Sequence, residues 1–348
     1  MKIHLSVIVL AGVLQAFTLN AAGPDQLPAG IELRDYTGWE QSIFINATET
    51  PVQAVIVPAV GGRVVDFSLN GDNILFENPA TRGRTMAGNE ELWLGGYQCD
   101  VGSSGRGLPA HLQLFQGRNE WKFKGDFAAH LSSPPDRDLG IVIEKDFLLA
   151  PDTGDLGVVQ RIRNISDREV SYCLWDRTLC KGGGFVFFPL NPKSRFKTGW
   201  SQRHETNGKT CYDGQHTNMP QARVLDGVLV VTAAGDVTQI GSDTRSGWIA
   251  YALGKLLFVK YFPCFTGGNY SDAGNTVEVY FDQRAVELSP LSPEIKLAPG
   301  QEYSFPEKWL LIALPREITT WEEARKLVRK IPATPFGVMS GDGQRKAR

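Results

Sequence analysis

The sequence holds only five cysteines, Cys99, Cys173, Cys180, Cys211 and Cys264, and no two have C-x-x-C spacing. A thiolate zinc site or a redox pair would need such spacing, so no metal is expected. The odd count leaves at least one thiol without an intrachain partner, and buried small hydrophobes with at most one bridge are the expected role. Basic charge is not in excess either. The formal net charge is −2, and Lys and Arg are scattered rather than gathered in a stripe, so no nucleic-acid partner is expected. The glycines of "GGRVVDFSLNG" (61–71) have no helix after them. They match neither a phosphate-cradling loop nor a dinucleotide fingerprint, and no cofactor is expected. A G-x-S-x-G elbow is also missing, which argues against the common α/β serine hydrolases. Past the N-terminus no apolar run reaches the length of a membrane span.

What the chain does have is glycine and aromatic rings: 37 Gly, 8 Trp and 9 Tyr fit a turn-rich β protein. Its start, "MKIH" followed by "LSVIVLAGVLQAF" and "TLNAAG", has the basic, apolar and small-residue segments of a secretory signal. The expectation is a signal peptide over 1–22, cleaved after Ala22, and a protein exported to the periplasm or beyond the cell.

Alternation of period two dominates the rest. "RVVDFSLNGDNILFEN" (63–78) puts Val65, Phe67 and Leu69 on one face before an Asn-Gly turn, the signature of a hairpin. Residues 140–179 read as three successive strands turning at "PDTGD" and "NISDRE". Further strands are expected at "EWKFKGDF", "GVLVVTA", "GWIAYAL", "KLLFVKYF" and "NTVEVYFD". One helix is expected over 319–331, where Thr320 and Glu323 can form a capping box and Trp321, Ala324, Leu327 and Val328 make an apolar stripe. With no linker and no repeat, the prediction is one all-β domain over 23–332, a large antiparallel sandwich with a short C-terminal helix. A disordered tail is expected over 333–348. The stretches 79–110 and 191–223 read as long polar loops.

Four segments occur in a telling order: "VIVPAVGGRVVDFSLNGDNILFENP" (55–79), "GGYQ" (95–98), "VVQRIRNISDREVSYCLWDRTL" (158–179) and "VELSPLSPEIKLAPGQEYSFPEKWLL" (286–311). Together they resemble the galactose mutarotase-like superfamily, and within it the exported proteins grouped as DUF4380, over roughly residues 30–314. The resemblance implies a supersandwich of large antiparallel sheets with a concave groove for a monosaccharide or glycan end. In the aldose 1-epimerase members a Glu near the C-terminus takes the proton of the anomeric hydroxyl while a His protonates the ring oxygen, because ring opening needs both transfers. The matching Glu is Glu287. The matching His positions fall in "SYCLWDRTL" and near "LWLGGYQCD", where this chain has none. Beyond the expected leader it keeps only His111, His130, His204 and His216.

The candidate residues follow. Glu287 is either a base, a sugar-hydroxyl acceptor, or an outward-facing strand residue with Val286 and Leu288 inward. Asp176 would replace the missing acid only with a raised pKa, and otherwise joins Arg177 as a planar partner for paired hydroxyls or forms a surface ion pair. Trp93 and Trp175 offer flat faces for a pyranose or serve the core. Arg63 points into the groove or solvates a hairpin end, and His111 is a second possible acid or a structural His. Three functions stay open: an exported carbohydrate-binding protein, an aldose 1-epimerase-like enzyme with a rebuilt acid, or an envelope interaction domain that keeps only the fold.

Overall fold

A computed structural model of the protein describes residues 27–102, 111–207, 209–215, 219–339 and 341. The expected leader at 1–22 and His216 lie outside the described residues.

The alternating segments pair into a twelve-stranded and a ten-stranded sheet, in which every ladder is antiparallel. The centre of the larger sheet is the run Arg63–Leu69, Gly96–Val101, Leu174–Lys181, Ala285–Pro290 and Val277–Phe281. The centre of the smaller one is Trp248–Leu253, Leu256–Tyr261, Glu302–Ala313 and Leu156–Asn164. Inward residues of both sheets share one core. Its middle is aromatic: Trp309 lies 5.8 Å from Phe67, 5.4 Å from Tyr97 and 5.4 Å from Phe258 between ring centroids, all edge-on. That is the arrangement the ring quadrupoles favour, and it locks the two sheets in register.

The outer face of the smaller sheet is covered by a helix, Trp321–Val328. Thr320 accepts from the Glu323 amide and the Glu323 carboxylate returns to the Thr320 amide, as the sequence predicts. Ala324 and Leu327 are buried against Phe185, Val230 and Val259. The helix is shorter at both ends than 319–331.

Four expectations need correction. The hairpin over 63–78 forms, with Asn70 and Gly71 at positive φ in its turn, but Val65 does not share a face with Phe67. A bulge sets Ile56 opposite Val64 and Val55 opposite Asp66, so one residue is skipped and Val65 joins a separate cluster with Trp39 and Leu94. The two long loops are partly strands: Gly96–Val101 lies in the first, Ser201–Thr206 and Lys209–Asp213 lie in the second, and Ala222–Leu225 begins at its end. Polar residues hid their alternation. The tail is not structureless from 333 onward: Phe336 is buried beside the helix, and Val338–Met339 pairs in parallel with Cys264–Phe265. Finally, the third strand of 140–179 is broken at Cys173. Val170–Tyr172 pairs with Ile295–Leu297, whereas Leu174–Lys181 enters the larger sheet. All five cysteines are free thiols, and only Cys211 is exposed.

Candidate functional site on the larger sheet

In the strand Leu174–Lys181, Leu174 and Cys180 point into the core, so the period of two sends Trp175 and Arg177 to the outer face and Asp176 and Thr178 between the sheets. The neighbouring strand does the same: Val286 and Leu288 are core, and Glu287 and Ser289 are outer. Pairing of Leu179 with Glu287 and of Arg177 with Gln98 then brings Arg177, Glu287, Gln98 and Asp100 together at mid-sheet.

The contacts are specific. Arg177 grips the Glu287 carboxylate with its Nε at 3.1 and 3.2 Å and a terminal amino group at 3.1 Å. Ser289 donates to the same carboxylate at 2.9 Å. The Arg177 guanidinium also lies over the Trp175 ring, 4.6 Å from its centroid. Although it faces outward, Glu287 is only 5% exposed, so the pair sits recessed in the sheet surface. Burial works against the Arg177 charge, but Glu287 and Asp100 outweigh it and hold its proton more firmly than usual. Arg63 lies behind this pair. It is fully buried and donates to the Gly95 carbonyl at 2.6 Å, to Gln98 Oε1 at 2.6 Å and to the Phe115 carbonyl at 3.4 Å. Burial, helped by the neighbouring Arg177, lowers its pKa to about 9. Glycine allows this packing at Gly96, whose φ is +64° and whose place has no room for a Cβ, because the Val64 carbonyl oxygen would lie 2.3 Å away.

Asp100 is the titratable group of the site. Burial pushes its carboxyl up to about 6; the Val101 amide, Arg177 and His111 oppose that rise, and Glu91 adds to it. His111, at the start of the short helix Leu112–Phe115, is fixed by Asp136 through its Nδ1 at 2.6 Å. Asp136 is itself held by the Gln113 side chain at 2.8 Å and the Leu139 amide at 2.9 Å. The other ring nitrogen, Nε2, is buried and has no hydrogen-bond partner among the described residues.

The structure therefore unites Glu287, Arg177, Trp175 and Arg63, and puts His111 within electrostatic reach of them through Asp100. It does not unite Asp176 or Trp93 with them. Asp176 has no exposure and bonds Lys260 and Thr178 between the sheets, which corrects its reading as an acid opposite Glu287. Its inward position in the alternation is the physical reason. Trp93 stacks on Phe76 at 4.8 Å and under the Arg284 guanidinium at 4.4 Å. Gln98, Asp100, Ser289 and Asp136 were missed in the sequence. Gln98 and Asp100 had a signal, since they alternate with Tyr97 and Cys99 right after "GG".

No protein-family model matches the sequence, and no curated protein does. Solved structures do match. A galactose mutarotase-like protein from Lactobacillus casei superposes with a TM-score of 0.54 at 11% identity, over 77% of this chain and 100% of its own. A galactose mutarotase related enzyme from Lactobacillus acidophilus gives 0.50 at 9% identity, over 79% and 100%. A candidate aldose 1-epimerase from Klebsiella pneumoniae gives 0.53 at 10% identity, over 90% and 89%. The fold is galactose mutarotase-like. At these identities the likeness carries the fold and nothing finer.

Within this galactose mutarotase-like fold one cavity, of about 190 Å³, is lined by Trp39, Gln41, Ala59 and Arg118, without Glu287. Another, of about 150 Å³, is lined by Tyr280, Gln239, Thr238 and Arg203. Its lining adjoins the site along the sheet, because Tyr280 is the cross-strand partner of Glu287 and Gln239 that of Tyr280. Among the described residues no helix is long and apolar enough to cross a membrane.

Proposed function

We propose that the outer face of the larger sheet binds a carbohydrate, a monosaccharide or a glycan end, in a protein exported by its N-terminal leader. We also place it with the exported DUF4380 proteins, on the segments quoted above. One observation carries the binding reading: a recessed, bidentate Arg177–Glu287 pair beside the Trp175 ring, at the centre of the sheet. Guanidinium and carboxylate in one plane present donors and acceptors at fixed spacing, which suits vicinal hydroxyls, and an indole face suits the C–H face of a pyranose. Glu287 already accepts from Arg177 and Ser289, which favours its use as an oriented acceptor over its use as a base.

A second reading, an aldose 1-epimerase-like enzyme, is favoured by two groups on the same side of the sheet. Glu287 would take the anomeric proton, and the ring oxygen would be protonated by Asp100, whose pKa of about 6 leaves part of it protonated near neutrality, or by His111 held by Asp136. Polarimetry on freshly dissolved α-D-glucose and α-D-galactose separates the two readings. Acceleration by the wild type that is abolished in Glu287→Gln, and reduced in Asp100→Asn or His111→Gln, supports the enzyme. Sugar binding without acceleration supports the binding protein. Neither binding nor acceleration, across a glycan panel, would leave the fold serving an interaction domain.

A further inference from the structure

Between the sheets, three ionisable side chains meet out of reach of bulk solvent. Asp176 comes from the larger sheet, while Lys260 and Glu307 come from adjacent strands of the smaller one. None of the three side chains has any exposure. The Lys260 amine touches Asp176 Oδ1, and lies 2.8 Å from Thr178 Oγ1 and 3.3 Å from Glu307 Oε2. The Thr178 hydroxyl donates to Asp176 Oδ1 at 2.8 Å, whereas Asp176 Oδ2 has no hydrogen-bond partner among the described residues. Glu307 is held in place by Gln160 at 2.9 Å and by the Trp309 indole at 2.8 Å. Around them stand Trp309, 5.0 Å from the amine, and the aromatic rings of the core.

Such a triad is an odd structural element. Two carboxyl groups face one amine, so the charges do not cancel, and each ion stripped of water costs several kcal/mol. Asp176 is the group that yields. Burial and the nearby Glu307 push its carboxyl well above the usual range, against the pull of Lys260. A protonated carboxyl is an electrophile. An amine that has handed it a proton is a nucleophile, already placed at the acyl group. Held in that way, reacting groups reach effective concentrations of about 10⁵–10⁸ M.

We propose that Lys260 and Asp176 condense into an amide cross-link that joins the two sheets, with Glu307 as the proton shuttle. One proton first passes from the Lys260 ammonium to Asp176, leaving a neutral amine, a neutral carboxyl and an ionised Glu307. The amine lone pair forms the bond to Asp176 Cγ, and the Thr178 hydroxyl stabilises the charge that grows on Oδ1. Glu307 takes a proton from the nitrogen and delivers it to the Oδ2 hydroxyl. The C–O bond breaks and one water leaves. Atoms and charge balance with Glu307 returned to its ionised state, and no oxidant or cofactor is needed. The link removes two buried charges and fixes the sandwich covalently, independently of any sugar bound on the outer face.

Mass spectrometry of the denatured, full-length product tests this without any variant. The expected result is a chain lighter by one water than its processed sequence, and a digest in which the peptide containing Lys260 is joined to the one containing Asp176. Recovery of both peptides separately, at unshifted mass, overturns the proposal. In Glu307→Gln the joined peptide should be lost while circular dichroism stays native. Undiminished linkage in that variant would remove Glu307 from the mechanism. If that variant fails to fold, the wild-type mass still decides whether the link exists.

Discussion

Replacing Arg177 with Met gives a sharp test of the recessed pair, because the stem volume is kept and only the guanidinium is lost. Among the described residues Glu287 would be left with Ser289 as its one side-chain donor. Removing one partner of a fully buried ion pair costs about 3–5 kcal/mol, since the other charge is stranded. Here the Arg177 side chain is 25% exposed and the Glu287 side chain 7%, so solvent screens part of that cost and about 2 kcal/mol is expected. In urea, at a slope of about 3 kcal/mol/M, the midpoint should fall by roughly 0.7 M. Glu287→Gln and the double variant complete a cycle, and the coupling between the two residues should exceed about 1 kcal/mol. A loss below about 0.5 kcal/mol, additive with Glu287→Gln, would show that the pair behaves as an ordinary surface pair and would refute the reasoning.

Three further outcomes follow from the same geometry. The Asp100 carboxyl is raised from 3.8 to about 6 on folding, so its contribution to stability is full below about 4 and is lost as pH rises through 6. Asp100→Asn should therefore match the wild type at pH 4 and exceed it at pH 7.5, by at most about 3 kcal/mol in denaturant titrations. Gly96→Ala must displace the Val64 carbonyl, and should cost at least about 2 kcal/mol while disturbing Arg63, seen as weakened binding and a lower melting temperature. Thr320→Ala removes half of the capping box and should cost about 1 kcal/mol, with no effect on ligand binding, because the helix lies on the other sheet.

Much of the fold was legible in the chain because strands announce themselves locally. The Asn70-Gly71 turn, the Thr320–Glu323 cap and the inward Val286 and Leu288 around an outward Glu287 all follow from a few adjacent residues. The bulge that turns Val65 away from Phe67 does not, because it depends on a register shift against the strand Val52–Val57. The same limit hid the role of Asp176. An acid in an alternating strand looks like a surface residue until the opposite sheet supplies Lys260 and Glu307. A signal for that partner was nonetheless present: Lys260 is the one charged residue in "LLFVKY", a strand buried throughout. For the site, Glu287 and Arg177 were named from the resemblance and from their chemistry. Gln98, Asp100 and Ser289 became visible only when pairing set them beside the pair.

Carbohydrate recognition at the Arg177–Glu287 pair is open to direct measurement. The direct measurement is a glycan-panel screen of the wild type and Glu287→Gln at the same pH, followed by calorimetry on the best ligand. We predict that the wild type retains at least one monosaccharide or glycan end, and that Glu287→Gln weakens it by about 10–100-fold, the loss of one or two hydrogen bonds to a charged acceptor. Equal binding by the two proteins, or no glycan bound by the wild type, would contradict it.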